Sequence, residues 1–190
     1  MIEQYDQHLF LFLNSLNTPF LDKVMWIISA KLTWVPLYLA ILIYLGIKQK
    51  RKLLIIILMV IVAITLSDQL SVLLKNITQR PRPCHEEALY GMVHIVRGSC
   101  GGLYSFVSSH ASNSFTVALL SLSLVRKRWF TISMILWALV IGYSRVYLGV
   151  HYPGDVICGS LLGVMIGWGI FRLYKFIDIK ILSKSGFFNG

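Results

Sequence analysis

The chain has 190 residues, of which 56% are hydrophobic and 14% charged, against roughly a quarter charged in an ordinary soluble domain. Its formal charge of +10 falls mainly in short runs at the ends of apolar stretches, a pattern that sets membrane topology and not a nucleic-acid surface. A soluble globular domain and a nucleic-acid-binding module are therefore both excluded, and an integral membrane protein is expected.

The first residues, "MIEQYDQ", carry acids in place of a basic leader, so the N-terminus is expected to stay on the mature protein. In residues 1–23 the apolar residues are interrupted by Asn14, Asn17, Pro19, Asp22 and Lys23, which reads as an interfacial helix on the outer surface. A sixth span is the alternative, but residues 1–22 hold no Lys or Arg to keep that end inside.

A helix needs about 20 mainly apolar residues to cross the hydrocarbon. Five stretches come close, at roughly 25–47, 53–74, 105–125, 129–148 and 156–177. The glycines of "GSLLGVMIGWG" in the last let helix backbones approach closely. The expected fold is all-α, a membrane bundle of five spans, or six, in one domain over residues 1–190.

The runs "KQKRK" (48–52) and "RKR" (126–128), with Arg172, Lys175, Lys180 and Lys184 after the fifth span, belong on the cytoplasmic side. The other ends then lie outside, together with the loop 76–104 and the stretch from Ser144 to Asp155. Four helix ends that are distant in sequence meet at one face.

Their chemistry suits a phosphate. Lys75, Arg82 and Arg145 supply three cations, and Arg offers a planar fork of donors to phosphoryl oxygens. The start of the third span adds free backbone N–H groups, with Ser108 and Ser109 as hydroxyl donors. Asp155 stands four residues after His151, a spacing that lets a carboxylate hold one ring nitrogen and leave the other as nucleophile or base. His110, on another helix, is then free to act as an acid. Taken singly, each residue has a plainer reading as a snorkelling cation, a boundary histidine or a helix cap. The functional reading depends on their sharing a face.

"KNITQRPRP" fits K-x6-R-P, "VSSH" approximates P-S-G-H, and "SRVYLGVHYPGD" fits S-R-x5-H-x3-D. In these motifs the chain resembles the type 2 phosphatidic acid phosphatase superfamily, which shares its site with vanadium haloperoxidases and bacterial acid phosphatases. The resemblance implies attack on phosphorus by His151, orientation of that ring by Asp155, and protonation of the leaving oxygen by His110. It further implies that Lys75, Arg82, Arg145, Ser108 and the amides around Ser109 and His110 hold the phosphoryl oxygens, with no metal or cofactor. Val107 and Ser109 stand where the family pattern has Pro and Gly, which puts the local backbone approach to phosphate in question.

Arg80 is a competing phosphate ligand, but the spacing from Lys75 selects Arg82 and leaves Arg80 to a headgroup or second phosphate. Asp68, inside the second span, is costly there and is expected to support the polar floor of the site. A Cys84–Cys100 bridge is expected if the outside is oxidising, against two free thiols. His85, Glu86, Glu87 and His94 have no firm metal-binding spacing, so their loop reads as a solvated lid.

The implied substrate is a lipid phosphate or diphosphate at the outer face of the cytoplasmic membrane. Undecaprenyl diphosphate is the first expectation, with lipid A, phosphatidylglycerophosphate or phosphatidate as alternatives. A reading of another class is a non-catalytic phospholipid-binding or transport protein.

Overall fold

A computed structural model describes residues 1–179, apart from the Arg51 side chain. Lys180 and Lys184, used above to orient the chain, lie outside the described residues. Among those described there are seven α-helices and no strand beyond a single Pro81–Tyr104 bridge.

The N-terminal segment forms two helices, α1 (Ile2–Ser15) and α2 (Pro19–Ser29). Thr18 caps α2 by accepting from the Leu21 amide, and Pro19 fits the first turn, where a missing N–H is harmless. Asn14, one of the residues expected to interrupt this stretch, instead shares a helix face with Asp6 and Phe10, at steps of four residues. Phe10 and Asn14 are buried. The Asn14 amide donates to the carbonyls of His94 and Tyr147 and accepts from the His94 N–H. Ile2, Tyr5, Leu9 and Phe12 remain exposed on the other side.

The stretch expected as one span over 25–47 is broken. Helix α2 ends at Ser29, Ala30 is extended, and a 3-10 turn, Lys31–Trp34, leads into α3 (Val35–Lys48). Pro36 in the first turn of α3 lacks the N–H that a continuous helix from α2 needs. The Trp34 indole donates to the Ile28 carbonyl and the Thr33 hydroxyl to that of Ile27, so the break is held by bonds.

Helix α4 (Leu53–Thr78) runs one turn beyond its expected end. Gln79, in the left-handed region with φ 49°, closes it, and Pro81 prevents continuation. Helix α5 (Ser109–Val125) begins later than expected, with Ser108 as its cap. Helices α6 (Arg128–Tyr147) and α7 (Pro153–Ile177) complete the chain. Among the described residues, Lys31–Lys48, α4, α6 and α7 are the four segments able to cross a membrane by length and composition.

Helix α5 is missing from that set for a physical reason. It has 17 residues, roughly 25 Å at 1.5 Å per residue, and its composition is that of a central helix. Ala111, Ser112, Ser114, Thr116, Ala118 and Ser121 are buried against neighbours, where small side chains matter more than apolarity. Gly159, Gly163 and Gly167 of α7 form the facing stripe. A Cβ on Gly159 would stand 2.6 Å from the Ser108 carbonyl, and one on Gly167 3.1 Å from that of Thr116. Thr116 Oγ1 donates to the Gly163 carbonyl at 3.1 Å, and Ser112 and Ser67 share a hydrogen bond of 2.6 Å between α5 and α4.

The basic connections gather at one end of the bundle. Lys52 pairs with Asp178, Tyr174 donates to Gln49, and Lys127 stands over the Tyr44 ring. The segment 79–108 and the turn 148–152 occupy the opposite end.

Candidate active site

At that opposite end three segments are tied together by backbone. The Arg82 amide donates to Leu103 and the Ser105 amide to Arg80, which lays the first motif along the segment leading to the second. The Ser108 amide donates to the Asp155 carbonyl at 3.0 Å, joining the start of α5 to the start of α7. Gly149, with φ 78°, makes the tight turn after α6, and a Cβ there would stand 2.7 Å from the His94 carbonyl. After that turn the amides of Val150 and His151 both reach the Arg145 carbonyl, at 3.2 and 3.3 Å. The motif S-R-x5-H thus folds back so that Arg145 and His151 are neighbours.

Arg82, His110 and Arg145 line one cavity of about 370 Å³, with Ser29, Lys31 and Gly101 on its other walls. Arg82 is aimed by two bonds, Nε to the Tyr104 carbonyl at 3.2 Å and Nη1 to the Cys100 carbonyl at 3.0 Å. Arg145 donates to the Ser29 hydroxyl, while its buried Nε has no protein partner. A guanidinium with an unused donor beside a cavity suits an anion.

Lys75 does not line this cavity. Its Nζ donates to the Val107 carbonyl at 2.6 Å and to Ser109 Oγ at 2.7 Å. The residue that stands in place of the family glycine therefore anchors Lys75, and its own hydroxyl proton stays available. Val107, in place of proline, is buried at 2% exposure. Ser108 is fully buried, and its hydroxyl accepts from the Ala111 amide at 3.5 Å. The amides of Ser109 and His110, in the first turn of α5, have no carbonyl of that helix to bond.

His151 is buried at 2% and Asp155 at 0%, with His151 Nδ1 3.5 Å from Asp155 Oδ2. Burial first, then the charges of Arg145, Arg82 and Lys75, push the His151 imidazolium well below its ordinary pKa. That direction favours the neutral ring that a nucleophile needs.

Arg80 differs from its expected place at a headgroup or second phosphate. Its guanidinium donates to Asp155 Oδ1 at 2.9 Å and to Asp6 Oδ2 at 2.8 Å, and lies 4.0 Å from the centre of the Tyr152 ring. Burial works against its charge, but the carboxylates of Asp155 and Asp6 outweigh that and hold it protonated. The other Asp155 oxygen accepts from the Tyr152 amide at 2.9 Å, capping α7. Asp6 also accepts from the Gly154 amide, so α1 is built into the site.

Asp6, Ser29, Lys31 and the role of Arg80 escaped the sequence reading. The four-residue stripe of Asp6, Phe10 and Asn14 was the available signal for α1, whereas Ser29 and Lys31 reach the site only because of the break after α2. Cys84 and Cys100 are joined, with Cα atoms 6.0 Å apart. Those thiols form, with His85, the cluster of potential metal ligands among the described residues, and the bond between them removes two of the ligands. His94 is held by Asp22 at 2.9 Å.

Comparison with known proteins agrees with this arrangement. The model of the PAP2 superfamily matches residues 52–178. Lipid A 4'-phosphatase of Bacteroides thetaiotaomicron is 37% identical over 187 residues, covering 96% of this chain and 81% of that protein. YbjG of Escherichia coli K12, classed provisionally as an undecaprenyl-diphosphatase, is 33% identical over 174 residues, covering 88% of this chain and 81% of that protein. The crystal structure of LpxE from Aquifex aeolicus superposes with a TM-score of 0.68 at 31% identity, over 87% of this chain and 93% of that one. The chain belongs to the PAP2 superfamily and is a lipid phosphatase.

Proposed function

We propose that this enzyme removes a phosphate from lipid A, at the outer face of the cytoplasmic membrane, through a phosphohistidine on His151. The observation that supports the chemistry best is the cavity shared by Arg82, His110 and Arg145, with neutral His151 and its Asp155 beside it. The free ring nitrogen of His151 attacks phosphorus, and the bond to the lipid oxygen breaks as His110 gives that oxygen a proton. Arg82 and Arg145, with the Ser109 hydroxyl that Lys75 positions and the first amides of α5, hold the three remaining oxygens. Ser108 contributes by capping the helix that presents them. Water, deprotonated by His110, then attacks the phosphohistidine and releases phosphate. Catalysis here is positioning plus charge stabilisation around a loose phosphoryl transition state.

Undecaprenyl diphosphate, the first expectation from sequence, gives way to the lipid A alternative. The lipid A 4'-phosphatase named above matches more of this chain, at higher identity, than the undecaprenyl relative does. The chain forms a single domain with five spans, α5 crossing as the shielded central helix, and α1 and α2 lie at the outer interface. Basic connections at the far end orient that end inward.

Purified protein assayed against lipid A, undecaprenyl diphosphate, phosphatidylglycerophosphate and phosphatidate tests this directly. Phosphate release with the highest kcat/KM on lipid A is expected. A clear preference for another of the four overturns the substrate assignment, and binding without turnover favours the transport reading.

A further inference from the structure

A second cavity, of about 390 Å³, adjoins the basic one and shares Ser29, Lys31 and His110 with it. Two helical stripes face each other across it. Thr65, Asp68 and Gln69 come from α4, and His110, Asn113, Ser114 and Val117 from α5, at the spacings of one helix face. A third cavity, almost wholly apolar, continues past Tyr38, Ile64 and Val117 between α3, α4 and α5. The series from the outer end inward is therefore basic, polar, apolar.

Two acceptors, Asn113 and Asp68, line the polar cavity. Asn113 Oδ1 is buried and has no hydrogen-bond partner, and the Asp68 carboxylate lies inside a membrane span, where an acid is costly and signals function. Asn113 is one turn below His110, and Asp68 is seven residues below Lys75. These offsets place the acceptors about 5 to 10 Å beneath the phosphate site at 1.5 Å per residue.

We propose that this cavity is a headgroup subsite, in which Asn113 and Asp68 accept hydrogen bonds from hydroxyl or amide groups of a sugar attached to the phosphate. The subsite rests on the lipid A reading and deepens it. Phosphate fills the basic cavity, the sugar the polar one, and an acyl chain the apolar one. A prenyl diphosphate brings no O–H or N–H to that depth. It leaves Asn113 and Asp68 unpaired, which is how a polar site rejects an analogue that lacks the matching group.

The test is a substrate-by-variant comparison with full-length protein. Asn113→Leu keeps the side chain's size and removes its acceptor, and Asp68→Asn is a milder second change. Each is expected to raise KM for lipid A by about tenfold or more, with kcat/KM for undecaprenyl diphosphate unchanged or raised. Equal losses on both lipids, or no change on either, overturn the subsite. Absence of lipid A turnover by the wild type overturns the substrate reading alone, because the subsite has its own readout on whichever lipid phosphate the enzyme cleaves. Glucosamine 4-phosphate is expected to inhibit that cleavage more strongly than inorganic phosphate and to lose its advantage in Asn113→Leu. Equal inhibition of the wild type by the two overturns the subsite.

Discussion

Arg80 Nη1 donates to Asp155 Oδ1 at 2.9 Å, and the same guanidinium reaches Asp6 of α1 at 2.8 Å. Asp155 is fully buried, so the cation that neutralises it decides whether the carboxylate stays charged and faces His151. Removing one partner of a buried pair costs about 3–5 kcal/mol, because the other charge is left uncompensated. Arg80→Ala is expected to lower kcat by about ten- to a hundredfold, with Arg80→Lys intermediate. Steady-state kinetics on lipid A checks this, and KM is expected to change less than kcat.

The neutral state of His151 has a consequence for stability. Its pKa is depressed in the folded protein, so the unfolded chain binds the extra proton first as pH falls. Stability from this group is present above the unfolded value of about 6.5 and is lost as pH drops below it. The melting temperature is expected to fall between about pH 7.5 and pH 5, and the slope to flatten in His151→Gln. Thermal unfolding in detergent across that range measures both.

The glycine stripe of α7 sets how near α5 comes to the turn that carries His151. A side chain on Gly163 would collide with the Ser112 carbonyl and press on Phe115 Cβ at 3.0 Å. Gly163→Val is expected to destabilise by about 1–3 kcal/mol or more and to lower kcat by moving His110. Gly169, with nothing within 4 Å of an added Cβ, serves as the control. Gly169→Ala is expected to leave both quantities unchanged.

Reduction of the Cys84–Cys100 bond opens a loop spanning a sequence separation of 16. The expected cost is about 3 kcal/mol by chain entropy. Because Arg82 donates to the Cys100 carbonyl, a looser loop also frees that guanidinium, and KM is expected to rise. Parallel melting and kinetic measurements with and without reductant read the two effects.

Much of this site was legible because phosphate chemistry requires fixed spacings. Lys75 and Arg82, Arg145 and His151, and His151 and Asp155 are each set by one short segment, and helix ends that share a depth are easily brought together. The second, fourth and fifth spans were equally plain from hydropathy. The break near Ala30 was not, since Ile27, Ile28, Leu32 and Val35 keep the stretch apolar while Pro36 and the bonds of Thr33 and Trp34 end the helix. Arg80 was misplaced because spacing from Lys75 says nothing about carboxylates that arrive from α1 and α7. The polar cavity was visible only as Asp68, since its partner stripe on α5 reads in sequence as small residues of a packed helix.

The central claim is that His151 carries the phosphoryl group. Rapid quench in alkaline denaturant of the enzyme with lipid A bearing labelled phosphate, followed by peptide mapping at high pH, tests it most directly. Label is expected on His151, unstable in acid and stable in base, and absent from His151→Ala, which releases no phosphate. Label on another residue, or continued turnover by His151→Ala, would contradict the account.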